Sequence, residues 1–374
     1  MTTLVKSPAP QSLPATRPDA TRDDGLLVLT GPVIASLLAG RERELVQAVR
    51  RAYEAHARGE TSNPHSLFLR FPDDPANRII ALPAYVGAGF GLAGIKWIAS
   101  FPRNIDSGLD RASAVVVLNS IETGRPAALL EGSILSAKRT AASAALAAQC
   151  MHQDGRVSEV GLIGCGLINF EVVRFLLAMI PGIEALLVCD VNPTRARHFS
   201  DKCRALRDDL VVRPAGDPVQ IFQRSSLISI ATTAIEPHLR DAALCGRRRT
   251  VLHISLRDFA PEVILAADNV VDDVDHVCRA QTSIHLAEQM SGGRDFIRCT
   301  LGDILAGRQP ARRDEESVAV FSPFGLGILD IAAAKLAYDL GIASKQGTVI
   351  DAFLPEPWSE SIAINHDEPR AGGL

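Results

Sequence analysis

Residues 41–59, RERELVQAVRRAYEAHARG, place Leu45, Val46, Val49, Tyr53 and Ala57 at helical spacing with charges between them, which predicts an amphipathic helix. From Ser66 the period shortens. SLFLRF, NRIIALPAYV, GIKWIAS and RASAVVVLNS, then the turn ETGRP and AALLE, predict a sheet of several strands. SILSAKRTAASAALAAQCM, residues 133–151, is rich in alanine and free of proline and glycine, so it predicts a long helix able to pack closely. From Val157 the two periods alternate. VSEVGLI, IEALLVC, LVVR, SLISIA, TVLHIS and NVVDD read as strands; LINFEVVRFLLAMI, TRARHFSDKCRALR, DPVQIFQRS and PEVILAA read as helices. Such alternation implies a parallel sheet covered on both faces. The closing SVAVF and the helical LGILDIAAAKLAYDLG are expected to leave the alternation and pack back on the first unit. The division expected is a tail over 1–24, one domain from 25–150 with 322–360, and a second over 151–321.

Composition narrows the function without naming it. A formal charge of -4 over 374 residues gives no electrostatic case for nucleic acid or an anionic membrane, which leaves a small molecule as the expected partner. The seven cysteines include no C-x-x-C pair and read as small core residues in a reducing compartment. No hydrophobic run reaches the roughly 18 residues that span a bilayer. The first 24 residues hold four prolines and no apolar leader core, so a disordered tail and a cytoplasmic chain are expected. The histidines, including His56, His65, His152, His253 and His276, lack paired ligand spacing, and no metal is implied.

The strand VSEVGLI runs into GCGLINFEVV, a strand, a glycine turn and a helix start in that order. Gly164 permits the turn, Gly166 lets backbone amides approach a pyrophosphate, and Asn169 stands where a third glycine is usual. Leu167 and Ile168 begin the helix beside them. Asp190 ends the next strand, placed to grip the adenine ribose and repel a 2′-phosphate, so NAD is favoured over NADP. Arg195 could instead meet a phosphate, and Asn192 lies between the two. Ala231, Thr232, Ser255 and Leu256 follow later strands, where an open α/β sheet lines the nicotinamide pocket; Thr140 joins the cofactor set from the alanine-rich helix.

Three residues stand out for the reaction. Lys96 sits inside the apolar run AGIKWIASFP, where burial would lower its pKa and an anionic ligand is expected to complete its surroundings. A strand-edge lysine reaching water is the plain alternative. Arg139 lies among small residues with room to bind a carboxylate, or else on a polar helix face beside Lys138. Asp258, in SLRDFAPE, is either chemical or part of a helix cap. His253 is expected to be packed or hydrogen-bonded.

GIKWIASFP, AKRTAASAA, GLIGCG and the late aspartate before a Pro-started helix together resemble the ornithine cyclodeaminase and mu-crystallin family, over about residues 30 to 345. The resemblance implies an α/β fold: a Rossmann-type doubly wound parallel sheet plus a second α+β substrate and dimerisation domain that takes in the C-terminal helix. It also implies that Lys96 contacts the substrate carboxylate and reacting centre, that Arg139 binds carboxylate, and that Asp258 is the catalytic acid/base. A P-x-R near the start of the sheet is replaced here by Pro64, His65 and Ser66, which argues against a plain cyclodeaminase. NPHSLFLRFPDDPANRIIALPAYVG, GIKWIASFP and HISLRDFAPE are similar instead to the siderophore-pathway branch. That branch implies NAD-dependent oxidative cleavage of N-(2-amino-2-carboxyethyl)-L-glutamate to 2-oxoglutarate and L-2,3-diaminopropionate. Such a substrate has three carboxylates, for which Arg78 and Arg70 are further candidates, and Ser66, at the P-x-R position, is a further candidate substrate contact. An ornithine cyclodeaminase, an imino-acid reductase and a non-catalytic NAD(P)H-binding protein remain alternatives.

Overall fold

The computed structural model describes residues 25–152, 157–241 and 248–355; the tail expected over 1–24 lies outside them. The chain opens with β1 (Leu26–Leu29), α1 (Gly31–Leu37) and α2 (Glu42–Ala57), whose Leu45, Val46, Val49 and Tyr53 are buried as their spacing requires. Next come β2 (Thr61–Ser62), β3 (Leu67–Phe71), β4 (Asp74–Val86), β5 (Leu92–Ser100), β6 (Ala112–Ser120) and β7 (Pro126–Glu131). A largely antiparallel sheet results, in which β1 lies parallel to β7. The long helix α3 (Ser133–Met151) follows, with Ala141, Ala142, Ala144, Ala145, Ala147 and Ala148 all buried. A helix buried on several sides needs small residues on each of them, and this one packs on both α2 and the next domain's first helix.

The second sheet is assembled from β8 (Glu159–Ile163), α4 (Leu167–Met179), β9 (Ala185–Cys189), α5 (Pro193–Arg204), β10 (Val211–Pro214), α6 (Pro218–Arg224) and β11 (Leu227–Ile230). It continues through β12 (Thr250–His253), α7 (Pro261–Ala266), β13 (Asp268–Val271), α8 (Val274–Val277), α9 (Ser283–Ser291), β14 (Ile297–Thr300) and α10 (Leu301–Leu305). Next is β15 (Ala319–Ser322), then α11 (Gly327–Ser344), after which β16 (Thr348–Ile350) returns to the first sheet as its edge strand, antiparallel to β1. Strand order is β10-β9-β8-β11-β12-β15-β13-β14, all parallel, and the order reverses at β8, where open sheets of this kind form their ligand crevice. The fold is thus a Rossmann-type parallel sheet joined to a second α/β unit.

One expectation is corrected. SVAVF does extend the parallel sheet: β15 inserts between β12 and β13, pairing Ala319 with both Thr250 and Asp268. Chain order conceals this, because a late strand can fill a central slot. The helix after it, α11, does pack back on α2, α3, β4 and β5 of the first unit. No described helix is long and apolar enough to cross a membrane.

Candidate active site

The turn after β8 is built for close approach. Gly164 has φ 90°, its N–H reaches Cys189 O at 2.8 Å, and a Cβ there would sit 2.4 Å from Ala231 O, so only glycine fits. Gly166 is the N-cap of α4, and nothing lies within 4 Å of where its Cβ would be. That open space before unpaired helix amides suits a pyrophosphate. Asn169 does not reach into it. Its amide donates to Ile163 O (3.0 Å) and Gly164 O (2.6 Å), and its Oδ1 accepts from Ser229 Oγ at 2.7 Å, so it braces the turn from beneath. Leu167 is exposed at the helix start and Ile168 packs on the core.

Asp190, at the end of β9, links this turn to the next one. Its carboxylate accepts from Cys165 N and Asn192 N, both at 2.8 Å, with the Arg195 guanidinium 3.5 Å away. Asn192, and not Asp190, caps α5 by accepting from Thr194 N and Arg195 N. Glycine turn, open helix start and strand-end carboxylate together match what a dinucleotide requires. Thr140 hydrogen-bonds Ser136 O one turn back in α3.

At the ends of β11 and β12 the loops converge on Asp258, which is fully buried. Thr232 Oγ1 and Ser255 Oγ both donate to its carboxylate, and His253 Nε2 lies 3.2 Å from Oδ2. The other nitrogen of His253 meets Ser322 Oγ at 3.1 Å, so the inserted β15 supplies the residue that orients the ring. Burial pushes the Asp258 pKa up, but the hydrogen bonds from His253, Ser255 and Thr232 outweigh it and bring the group down to about 2. Asp258 does not serve as a cap, since the N-cap of α7 is Ala260 with no side-chain bond. Leu256, just before, takes a left-handed φ of 69°, a strain typical of residues that fix a functional loop. Thr232 and Ser255, expected to line the nicotinamide, turn their hydroxyls onto Asp258.

Lys96 is 2% exposed, between Leu82 of β4 and Val116 of β6 in register. Its Nζ lies 2.7 Å from Asp330 Oδ2 and donates to Ser136 Oγ at 3.1 Å; Arg139 Nε donates to Asp330 Oδ1 at 2.8 Å. Burial lowers the Lys96 pKa, the Asp330 carboxylate raises it and Arg139 lowers it again, leaving about 8. The chain therefore supplies its own counter-ion, where an anionic ligand was expected to do so. A buried ammonium without a fixed partner would cost several kcal/mol, so the helix α11 delivers Asp330 to the spot. Two cations share one carboxylate, and the net positive charge still favours an anion. Gly325 comes so close that a Cβ would lie 2.9 Å from Arg139 Nη1, while its N–H donates to Asp272 at 2.7 Å; this ties the parallel sheet to Arg139. Lys138 is turned away and pairs with Glu171 of α4 at 3.1 Å.

Sequence reasoning missed Asp330. A lone acid in the first turn of an apolar helix looks like a favourable dipole contact, and only its complete burial marks it out. Ser66, buried just before β3, and Arg70 and Arg78, cross-strand partners, lie on the same face as Lys96 by strand alternation. The histidines gather unexpectedly. His56 Nε2 (3.1 Å) and His276 Nδ1 (2.9 Å) share Asp273, and His65 packs edge-on against His276, yet no metal-holding group occurs among the described residues.

Comparison with known proteins agrees with this geometry. The chain is 29% identical over 316 residues to N-((2S)-2-amino-2-carboxyethyl)-L-glutamate dehydrogenase of Staphylococcus aureus (strain NCTC 8325 / PS 47), covering 82% of this chain and 93% of that one. Its fold matches the Thermococcus litoralis Delta(1)-pyrroline-2-carboxylate reductase solved with NADH and L-proline, at TM-score 0.81 and 23% identity over 86% of this chain and 99% of the other. An archaeal alanine dehydrogenase dimer with bound NAD superposes at TM-score 0.79 with 26% identity, covering 88% of this chain and 100% of that one. The model of the ornithine cyclodeaminase/mu-crystallin family matches residues 37–345, and the chain belongs to that family.

Proposed function

We propose that this protein is an NAD-dependent dehydrogenase that cleaves N-(2-amino-2-carboxyethyl)-L-glutamate to 2-oxoglutarate and L-2,3-diaminopropionate. The observation that carries the reading is Asp258, a buried carboxylate that accepts from the Thr232 and Ser255 hydroxyls and lies against the His253 imidazole at the end of the dinucleotide-binding sheet, its pKa held down to about 2. Support comes from the relative that bears this activity in its name and from neighbours solved with NAD or NADH. NAD, held by the Gly164–Gly166 turn and Asp190, would supply the acceptor for the Cα hydride of the glutamate half. Lys96 and Arg139 hold the adjacent carboxylate, their repulsion moderated by Asp330. Asp258 accepts the proton of the secondary amine, leaving a C=N bond, and releases that proton to solvent. It then relays both protons of the water that adds to that carbon to nitrogen, the first as the carbinolamine forms and the second as the C–N bond breaks and the C=O forms. One substrate, NAD and water give 2-oxoglutarate, the diamino acid, NADH and a proton, so the step balances.

In this reading the first sheet with α11 forms the substrate and dimerisation part and residues 151–321 the NAD part. The outer face of the first sheet exposes Leu67 (70%), Trp97 (40%), Tyr85 and Val115, an apolar surface suited to a second copy of the chain. Light scattering should give twice the mass of one chain, and a monomer would reject that assembly. The reaction is tested by mass spectrometry of protein, NAD and the conjugate. Formation of 2-oxoglutarate with L-2,3-diaminopropionate is expected. No cleavage, with proline and ammonia formed from L-ornithine instead, would replace the reading by a cyclodeaminase.

A further inference from the structure

The Lys96 face of the first sheet carries a second group of cations. Arg78 in β4 faces Arg70 across one strand pair and Ser100 across the other, and Arg111, just before β6, donates Nε to Ser100 Oγ at 3.3 Å. From the parallel sheet comes Arg257, the residue before Asp258. Its Nη2 donates to Ala280 O at 2.7 Å, and the left-handed Leu256 behind it is pinned by Ser283 N on its carbonyl at 2.7 Å. None of the four arginines pairs with a carboxylate among the described residues. Burial lowers the Arg78 pKa and the charges of Arg111, Arg257 and Arg70 lower it further; Arg257 is depressed by burial, then by Arg111 and Arg70. Arg78, Arg111 and Arg257 are half-buried and Arg70 is exposed beside them; Asp258 attracts Arg257, but no carboxylate among the described residues forms an ion pair with any of the four, and like charges so gathered are stabilised by a bound anion. Lys96 has Asp330; these four have nothing equivalent.

The geometry points to Arg70, Arg78, Arg111 and Arg257 as a second anion subsite, in which Arg111 and Arg257 determine specificity by holding the distal carboxylate groups of a di- or tricarboxylic substrate. For the identity of that substrate the inference rests on the proposed function; for the anion site it rests on the strand register that gathers Arg70, Arg78 and Arg111 and on the mutual repulsion that places Arg257 within their reach. Ser100 lies four steps along β5 from Lys96, a span of about 13 Å at roughly 3.3 Å per residue, which long arginine side chains shorten to the scale of an extended amino-acid conjugate. Because Arg257 is joined to Asp258 and the other three belong to the opposite sheet, a ligand held by all four brings substrate and acid/base together across the crevice. A monocarboxylic amino acid makes no such bridge.

Calorimetric titration of the full chain saturated with NADH tests this, using 2-oxoglutarate against 2-oxobutyrate, which share the reacting end and differ by the distal carboxylate. The wild type should prefer 2-oxoglutarate by about tenfold or more, and added salt should shrink the preference. Arg111→Met and Arg257→Met should each remove most of it and leave 2-oxobutyrate affinity within about twofold. Equal affinities in the wild type would overturn the subsite, whatever the variants do. A preference that survives both substitutions would also overturn it. Dicarboxylate preference without cleavage of the conjugate would sink the proposed reaction and leave the subsite standing; cleavage without the preference would do the reverse.

Discussion

Asp258 and Asp330 are both wholly buried, and one is held by neutral donors while the other is clamped between two cations. Asp330 has its charge consumed by Lys96 and Arg139, so it serves to make a cationic wall affordable inside the protein. Asp258 touches no lysine or arginine among the described residues; its hydroxyl and imidazole partners hold it ionised and lower its basicity, so a proton it accepts is passed on readily. The same side chain thus becomes a fixed counter-ion or a proton carrier according to whether its neighbours are fixed cations or hydroxyl and imidazole groups. The difference also separates what each substitution should break.

The largest effect is expected from Asp258→Asn, which keeps the shape and most hydrogen bonds but cannot accept a proton. Turnover should fall by roughly 10²–10⁴-fold with NADH binding unchanged, measured by steady-state rates and cofactor fluorescence titration. Loss of cofactor binding in parallel would make the residue a structural one. Asp330→Asn should act in the opposite sense. It strands two buried cations, so denaturant unfolding should show a loss of about 3–5 kcal/mol, while Asp258→Asn, which gives up hydrogen bonds to a charged acceptor, should cost less, about 1–3 kcal/mol.

A smaller effect sharpens the contrast through pH. Lys96, depressed from 10.5 to about 8, carries its charge below that value and loses it above, so kcat/KM for a carboxylate substrate should fall tenfold per unit above about pH 8. Stability has the reverse sign. Between about 8 and 10.5 the native state binds fewer protons at this group than the unfolded chain, so its contribution to folding rises with pH. Activity and unfolding curves should therefore part company above pH 8; a parallel decline would remove Lys96 from the explanation.

The nucleotide half was the more readable one. A glycine turn between a strand and a helix, then an acid at the next strand end, is local in sequence, and Gly164, Gly166 and Asp190 sit together as the spacing required. Lys96, Arg139 and Asp258 stood out because charged residues interrupt apolar or small-residue runs. What stayed hidden depends on long-range pairing. Asp330 meets Lys96 from a helix 234 positions later in the chain. Arg111 and Arg257 look like surface arginines until the folded chain half-buries both and brings them close enough to repel each other. Ser322 contacts His253 because β15 enters the middle of the sheet, and no local periodicity carries strand order.

The most direct test of the central claim uses conjugate deuterated at the glutamate Cα, with the mass of the reduced cofactor read after one turnover. Transfer of a hydride to nicotinamide while Asp258 handles only nitrogen and water protons predicts one deuterium in the NADH. Deuterium appearing in solvent, with unlabelled NADH, would mean that a base removes the Cα proton and would contradict the account.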